Sequence, residues 1–406
     1  MKSIKGKITA LIFALLFIVF GGYLTTAESK QTKELVIGTV QPYSGAYGAL
    51  CLGMKIATNI AVEDINKAGG VVIGGERYTL KVVHYDDESN PTKAVALTER
   101  AINEDGAQII YGSSFSACTL AMLDVTKRAK RLQLNTSGHP DITRQGHPYV
   151  LRGVPPLGGY LRSWPYADYI VNELGLKNVV IIHARSDYGV AQRSTYEEAI
   201  KGVGGNLIET LSHASGETDL QPLLTKVKAV RNADAVLWTD PGKMGMFLKQ
   251  AAEAGLKPGK KPRLLGEGAM ICPELFEASG GPQNIEGAVV LNVPSPKDIG
   301  TSKALEFNRK FKDITKNDAD GITAVYYDAT FMILDAMKKA GSITDTDAIR
   351  AAIPDSPKNL SRSIVYPPSF YTKEGDLNVA FAVFKLKDGK PVLLKILKPY
   401  VPRKKR

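Results

Sequence analysis

The sequence predicts an α/β protein built from two doubly wound, Rossmann-like lobes. From residue 35 onward, short apolar runs alternate with segments of helical periodicity. The alternation falls into two consecutive series of similar length, which suits two parallel sheets better than one. The composition, 44% hydrophobic and 23% charged over 406 residues, is that of an ordinary globular chain long enough for two domains.

The first series opens on "LVIGTV" (35–40), followed by a helix over 49–67. It continues with "YTLKVVHYDD" (78–87) and a helix over 91–104, then "AQIIYG" (107–112) and a helix over 116–130, and closes on "RLQLNT" (131–136). After "LRGVPP" (151–156) the second series runs helix 164–174, strand 178–184, helix 188–201 and strand 206–211. Helix 219–230, strand 233–239, helix 243–254 and strand 262–267 complete it. Beyond "GAVVLN" (287–292) the pattern turns to helices, over 302–315, 322–340 and 346–352. The final run, "AFAVFKLKDGKPVLLKIL" (380–397), alternates around Asp388-Gly389 and predicts a β-hairpin.

The amino terminus is of another kind. Lys2, Lys5 and Lys7 precede the apolar run 8–20, and the segment ends in Thr25, Thr26 and Ala27. That order predicts a secretory signal over residues 1–27, cleaved after Ala27, and an exported mature protein. The alternative, an uncleaved anchor, is disfavoured because the apolar run is shorter than the ~20 residues that span a bilayer.

Export permits disulfides, yet the three cysteines, Cys51, Cys118 and Cys272, are widely spaced and odd in number, which leaves at least one thiol free. Neither these nor the five histidines show metal-ligand spacing, so no metal is expected. The formal charge of +11 includes the leader lysines and the tail "RKKR" (403–406). No basic stripe with interleaved aromatics remains to suggest nucleic acid. G-x-G-x-x-G does not follow the first strand, so no dinucleotide cofactor is expected either.

The stretch "GSSFSACT" (112–119) is a strand end that opens a helix with many small donors. It could hold a nucleophile, a phosphate, a carboxylate or nothing. It is not a G-x-S-x-G elbow, and no histidine is spaced as a partner for a serine, so an enzyme is disfavoured. It has neither the lysine nor the glycines of a phosphate loop. A carboxylate at a helix start, where unpaired N–H groups and the dipole favour an anion, is the reading that remains.

Several stretches together resemble the periplasmic Leu/Ile/Val-binding protein family, the type I solute-binding proteins of ABC importers. They are "VQPYSGAYG" (40–48), "AVEDINKAGGV" (61–71), "HYDDESNPTKAV" (84–95), "SDYGVAQ" (186–192), "AAEAGLK" (251–257) and "YYDATFMILDAMKKAG" (326–341). The resemblance implies two lobes joined by three crossing strands that close over a small solute and deliver it to an inner-membrane permease. It implies a monomer in the periplasm, with no cofactor. It makes the lobes discontinuous, 35–154 plus 292–376 and 155–291 plus 377–406. A soluble sensor of the same fold, presenting its ligand to a receptor, is the alternative.

Carried over residue by residue, the resemblance places Ser116 at the ligand's α-carboxylate and Thr136, Ser137 and Gly138 in a loop contacting the head group. That loop lacks the family's usual second threonine in register. It places Glu267 where amino-acid binders keep an acid for the α-ammonium group, and Tyr47, Tyr188 and Tyr327 on the pocket wall, with Tyr326 competing with Tyr327. The family's intralobe disulfide positions fall on Ser89 and Phe115. Asp240 stands where leucine binders have a pocket tyrosine, which points away from a plain aliphatic side chain. Each of these has a plain structural alternative: a helix cap for Ser116, a turn for 136–138, a solvated loop for Glu267 and Asp240, ordinary packing for the tyrosines.

Overall fold

The computed structural model describes residues 32–45, 48–139, 141–152, 160–267, 271, 273–353, 370–372 and 374–400. The expected signal segment, Tyr47 and Cys272 lie outside them.

Two sheets organise the chain. The first contains β1 (Lys33–Gln41), β2 (Val71–Ile73), β3 (Glu76–Asp86), β4 (Ile109–Gly112), β5 (Leu132–Asn135) and β6 (Val150–Arg152), in the spatial order β2-β3-β1-β4-β5-β6. All pairings are parallel except the edge hairpin β2-β3, which turns at Gly74-Gly75 and was not visible in the apolar pattern. The second sheet contains β7 (Asn178–Ala184), β8 (Asn206–His213), β9 (Ala235–Trp238), β10 (Arg263–Glu267) and β11 (Val289–Asn292). It is completed by the hairpin β14 (Phe381–Lys387) and β15 (Lys390–Leu397), in the order β15-β14-β11-β10-β9-β7-β8. A short pair, β12 (Phe370–Tyr371) and β13 (Leu377–Asn378), stands apart.

The period of two is explicit in the burial. On β1, Leu35 and Ile37 face one core, and Val36 and Val40 face another. On β7, Val179 and Ile181 face one core, and Val180 and Ile182 the opposite one. Strands buried on both faces need helices on both, and the connecting helices supply them.

These helices are α1 (Gly48–Lys67), α2 (Pro91–Asn103), α3 (Ser116–Arg128) and the short α4 (Asp141–Arg144) in the first lobe. The second has α5 (Tyr160–Asp168), which runs into a π turn over Tyr169–Glu173, then α6 (Asp187–Gly202), α7 (Gln221–Ala229) and α8 (Met244–Glu253). Starts follow the capping rules: Asn90 accepts from Lys93 N before α2, with Pro91 at the first helical position, and Ser186 accepts from Gly189 N before α6. Two short turns, α9 (Pro273–Ala278) and α10 (Pro282–Ile285), precede β11, and α11 (Pro296–Ile299) follows it.

The chain crosses between the sheets after β6, after β11 and after β13, giving two lobes joined by three crossings. The helices after the second crossing, α12 (Ser302–Thr315) and α13 (Gly321–Ala340), pack on α1 of the first lobe, and α14 (Thr346–Ala352) packs on α13. The hairpin β14-β15 turns at Asp388 and Gly389, with φ of 51° and 72°, the left-handed pair that Asp-Gly adopts most readily. Among the described residues no helix is long and apolar enough to cross a membrane.

Candidate functional site

In each sheet the strand order reverses at one place. The first lobe winds from β1 to β3 on one side and to β4 on the other, so its crevice opens beyond the carboxyl ends of β1 and β4. Gln41 ends β1, Gly112 ends β4, and Ser113 to Ser116 follow it. The second lobe reverses between β7 and β9, whose ends lead to Ser186–Tyr188 and to Asp240. Helices α3 and α6, which start at these two places, meet across the lobes.

The loop before α3 is built tightly. Gly112 has φ of 147°, and a Cβ there would lie 1.9 Å from the Val40 carbonyl oxygen, so only glycine lets β4 turn so close to β1. Ser113 donates to Asp87 Oδ2 (2.8 Å), and its carbonyl accepts from Thr119 (2.9 Å) and Ser137 (2.9 Å). The N-cap of α3 is Phe115, which has no side chain able to cap. Ser116 occupies the first helical position and is 4% exposed; it is not the cap.

Beside it a ring of polar side chains joins Gln41 and Ser114 to Thr136 and Tyr326, of which Gln41 is absent from the sequence-based candidates. Ser114 donates to Gln41 Oε1 (2.8 Å), and Gln41 Nε2 donates to the Tyr326 hydroxyl (2.9 Å). Since the single proton of Ser114 goes to Gln41, the 2.7 Å contact between Ser114 and Thr136 is a bond donated by Thr136. Tyr326 is also in hydrogen-bonding contact with Thr136, and burial pushes its hydroxyl up to about 12.

The 136–138 loop is pinned from below by Arg152, buried at the end of β6. It pairs with Asp376 (2.5 Å) and donates to the backbone carbonyls of Ser137 and of His139 (2.5 Å). Ser137 and Gly138 are buried.

In the second lobe, Glu267 ends β10 and is 0% exposed. It forms an ion pair with Arg162 of α5, also 0% exposed. Tyr188 donates to its other oxygen (3.2 Å), and Gln192 hydrogen-bonds it as well. Burial raises the Glu267 pKa, against the pull of Arg162. Asp240 is 8% exposed, so the turn does not send it to solvent. It caps the turn at Gly242 N (3.2 Å) and lies 3.6 Å from His213 Nε2. Burial raises its pKa, opposed by His213 and Lys243.

The tyrosines separate. Tyr188 is half-buried beside Glu267. Tyr326 faces the Ser114–Thr136 ring, whereas Tyr327 points to the other side of α13, donating to Asp64 of α1 (3.0 Å) and packing on Phe307 and Phe331. Cys51 and Cys118 are buried free thiols. Among the described residues no group of three or more potential ligands could hold a metal ion.

A family model described as periplasmic binding protein matches residues 34–391. The amino acid binding protein of Pseudomonas aeruginosa is 28% identical over 366 residues, 89% of this chain and 92% of that protein. The Leu/Ile/Val-binding protein of Escherichia coli K12 is 26% identical over 387 residues, covering 94% and 96%. Among solved structures, the leucine-binding protein of Thermotoga maritima superposes with a TM-score of 0.76 at 24% identity, covering 90% of this chain and 99% of that one. A solute-binding protein of R. palustris in complex with benzoate gives 0.75 at 22%, covering 91% and 98%. These two likenesses show the fold. Relatives of this kind are solute-binding proteins of the ABC-transporter type, and the chain belongs to the periplasmic binding protein family.

Proposed function

We propose that this chain is an exported solute-binding protein of an ABC importer. It captures an amino acid or a related small carboxylate between its lobes and delivers it to the membrane permease as a periplasmic monomer. The observation that carries the reading is the start of α3. A helix N-terminus without a side-chain cap, with Ser116 buried in its first turn, stands at the topological switch point of one lobe, and its helix meets α6, which carries Tyr188, of the other. Unpaired N–H groups and the helix dipole there favour a carboxylate. The names of the curated relatives, amino acid and Leu/Ile/Val binders, and the benzoate in one structural neighbour agree with a small carboxylate.

Affinity would come from closure, in which the second lobe buries a ligand already held by the first. Thermal shift against a panel of amino acids and small carboxylic acids tests this, because a bound ligand raises the unfolding temperature with its concentration. One carboxylate should do so, and Ser116→Ala should weaken it about tenfold, the loss of one charge-assisted hydrogen bond. Failure of every carboxylate to shift the transition overturns the function; unchanged affinity in Ser116→Ala overturns the site.

A further inference from the structure

The charge balance of the second lobe bears on which carboxylate is bound. An α-ammonium group closing into this cleft needs a carboxylate with uncompensated charge and a free acceptor face. Glu267 has neither. Arg162 neutralises it at zero exposure, Tyr188 donates to its other oxygen, and Gln192 hydrogen-bonds it as well. Asp240 is engaged by Gly242 N and faces His213 at 3.6 Å. The His213 ring sets Nδ1 2.9 Å from the Ala214 carbonyl and turns Nε2 to Asp240. Lys243 stands near Asp240 as a cation, and it donates to the Glu217 carbonyl (2.5 Å). In the first lobe Asp87, beside the α3 loop, is 0% exposed and takes up Ser113 and the Ser89 N–H.

Among the described residues the cleft therefore offers a positive feature, the start of α3, and each acid named above already has a basic or hydrogen-bonding neighbour. A carboxylate balances it. A zwitterion adds a cation beside the Arg162 guanidinium, where a buried charge without a partner is heavily penalised.

We infer that the solute is a carboxylate whose remainder is uncharged, an aliphatic or aromatic acid without an α-ammonium group, and that Arg162 sets this preference by occupying Glu267. This rests on the small-carboxylate reading above and narrows it.

Titration calorimetry on the purified protein decides it with pairs differing by one ammonium group: leucine and 4-methylpentanoate, phenylalanine and 3-phenylpropanoate, phenylglycine and phenylacetate. The expected result is that in each pair that binds, the acid lacking the amine binds at least tenfold tighter. Equal or tighter binding of the amino acid overturns the inference and leaves the small-carboxylate function standing. No binding by any member overturns both. In Arg162→Gln the preference should move at least tenfold toward the amino acid, and in Arg162→Lys it should persist. A folded Arg162→Gln protein with the wild-type preference removes Arg162 from the account, and should that variant not fold, the wild-type pairs decide alone.

Discussion

Ser114 and Thr136, 22 residues apart in sequence, hold their hydroxyl oxygens 2.7 Å from each other, and the bond joins the loop after β4 to the loop after β5. Gln41 and Tyr326 close the ring from β1 and α13, so four elements of the first lobe meet at one point beside the start of α3. The ring spends its hydroxyl protons internally. What it contributes is position, holding Ser116 and the 136–138 loop in register with each other.

The two adjacent tyrosines of α13 should therefore behave differently. Tyr326→Phe breaks the ring and leaves Gln41 Nε2 without its acceptor, at a cost of about 1–3 kcal/mol in stability and a loss of ligand affinity. Tyr327→Phe removes only the bond to Asp64 on the far side and should leave affinity within twofold of wild type. Parallel ligand titrations of the two variants check this, and equal affinity losses would contradict it.

Breaking the ion pair of Arg162 and Glu267 from one side should be costly. Either partner alone leaves a charge buried in a fully covered position, so Arg162→Met or Glu267→Gln should each lose about 3–5 kcal/mol of unfolding free energy. The double variant Arg162→Met with Glu267→Gln should recover much of that loss. Denaturant titration of the set measures it, and additive losses would show that the two side chains act independently.

His84 makes the protein sensitive to acid. Burial and Lys55 lower its pKa from 6.5 to about 4, and its ring bridges Thr39 (2.7 Å) and Asn59 (2.9 Å). Between those values the unfolded chain binds the proton and the native one does not, so the contribution of His84 is complete above 6.5 and is lost as pH falls toward 4. The wild-type unfolding temperature should drop across that window more steeply than that of His84→Gln. Parallel melting curves against pH would refute the assignment.

Gly112→Ala should be among the most damaging single changes in the first lobe. Its Cβ would sit 1.9 Å from the Val40 carbonyl oxygen at a positive φ, so β1 and β4 must separate at the crevice. A loss of at least about 2 kcal/mol is expected from strain alone, with ligand binding reduced in what still folds. Circular dichroism melts compare it with Gly106→Ala, which has a positive φ but open space around it.

Much of the architecture was legible from local pattern. The helices over 302–315 and 346–352 fall where periodicity placed them, and Asp388-Gly389 turns the last hairpin, because caps, apolar spacing and turn residues act over a few neighbours. The edge hairpin at Gly74-Gly75 was missed because its first strand, Val71–Ile73, is too short to show alternation. The π turn that ends α5 left no mark in the periodicity.

The residues of the candidate site divide along the same line. By itself the sequence determined that the stretch 112–119 opens a helix with small donors and that acids and tyrosines stand at the ends of later strands. Only the tertiary structure decided what each acid faces: Arg162 against Glu267, His213 against Asp240, Arg152 beneath Ser137, Tyr326 rather than Tyr327 beside Thr136. The physical reason is that a charge is assigned by its neighbours in a low-dielectric interior, and those neighbours come from strands and helices that are adjacent in space but remote along the chain.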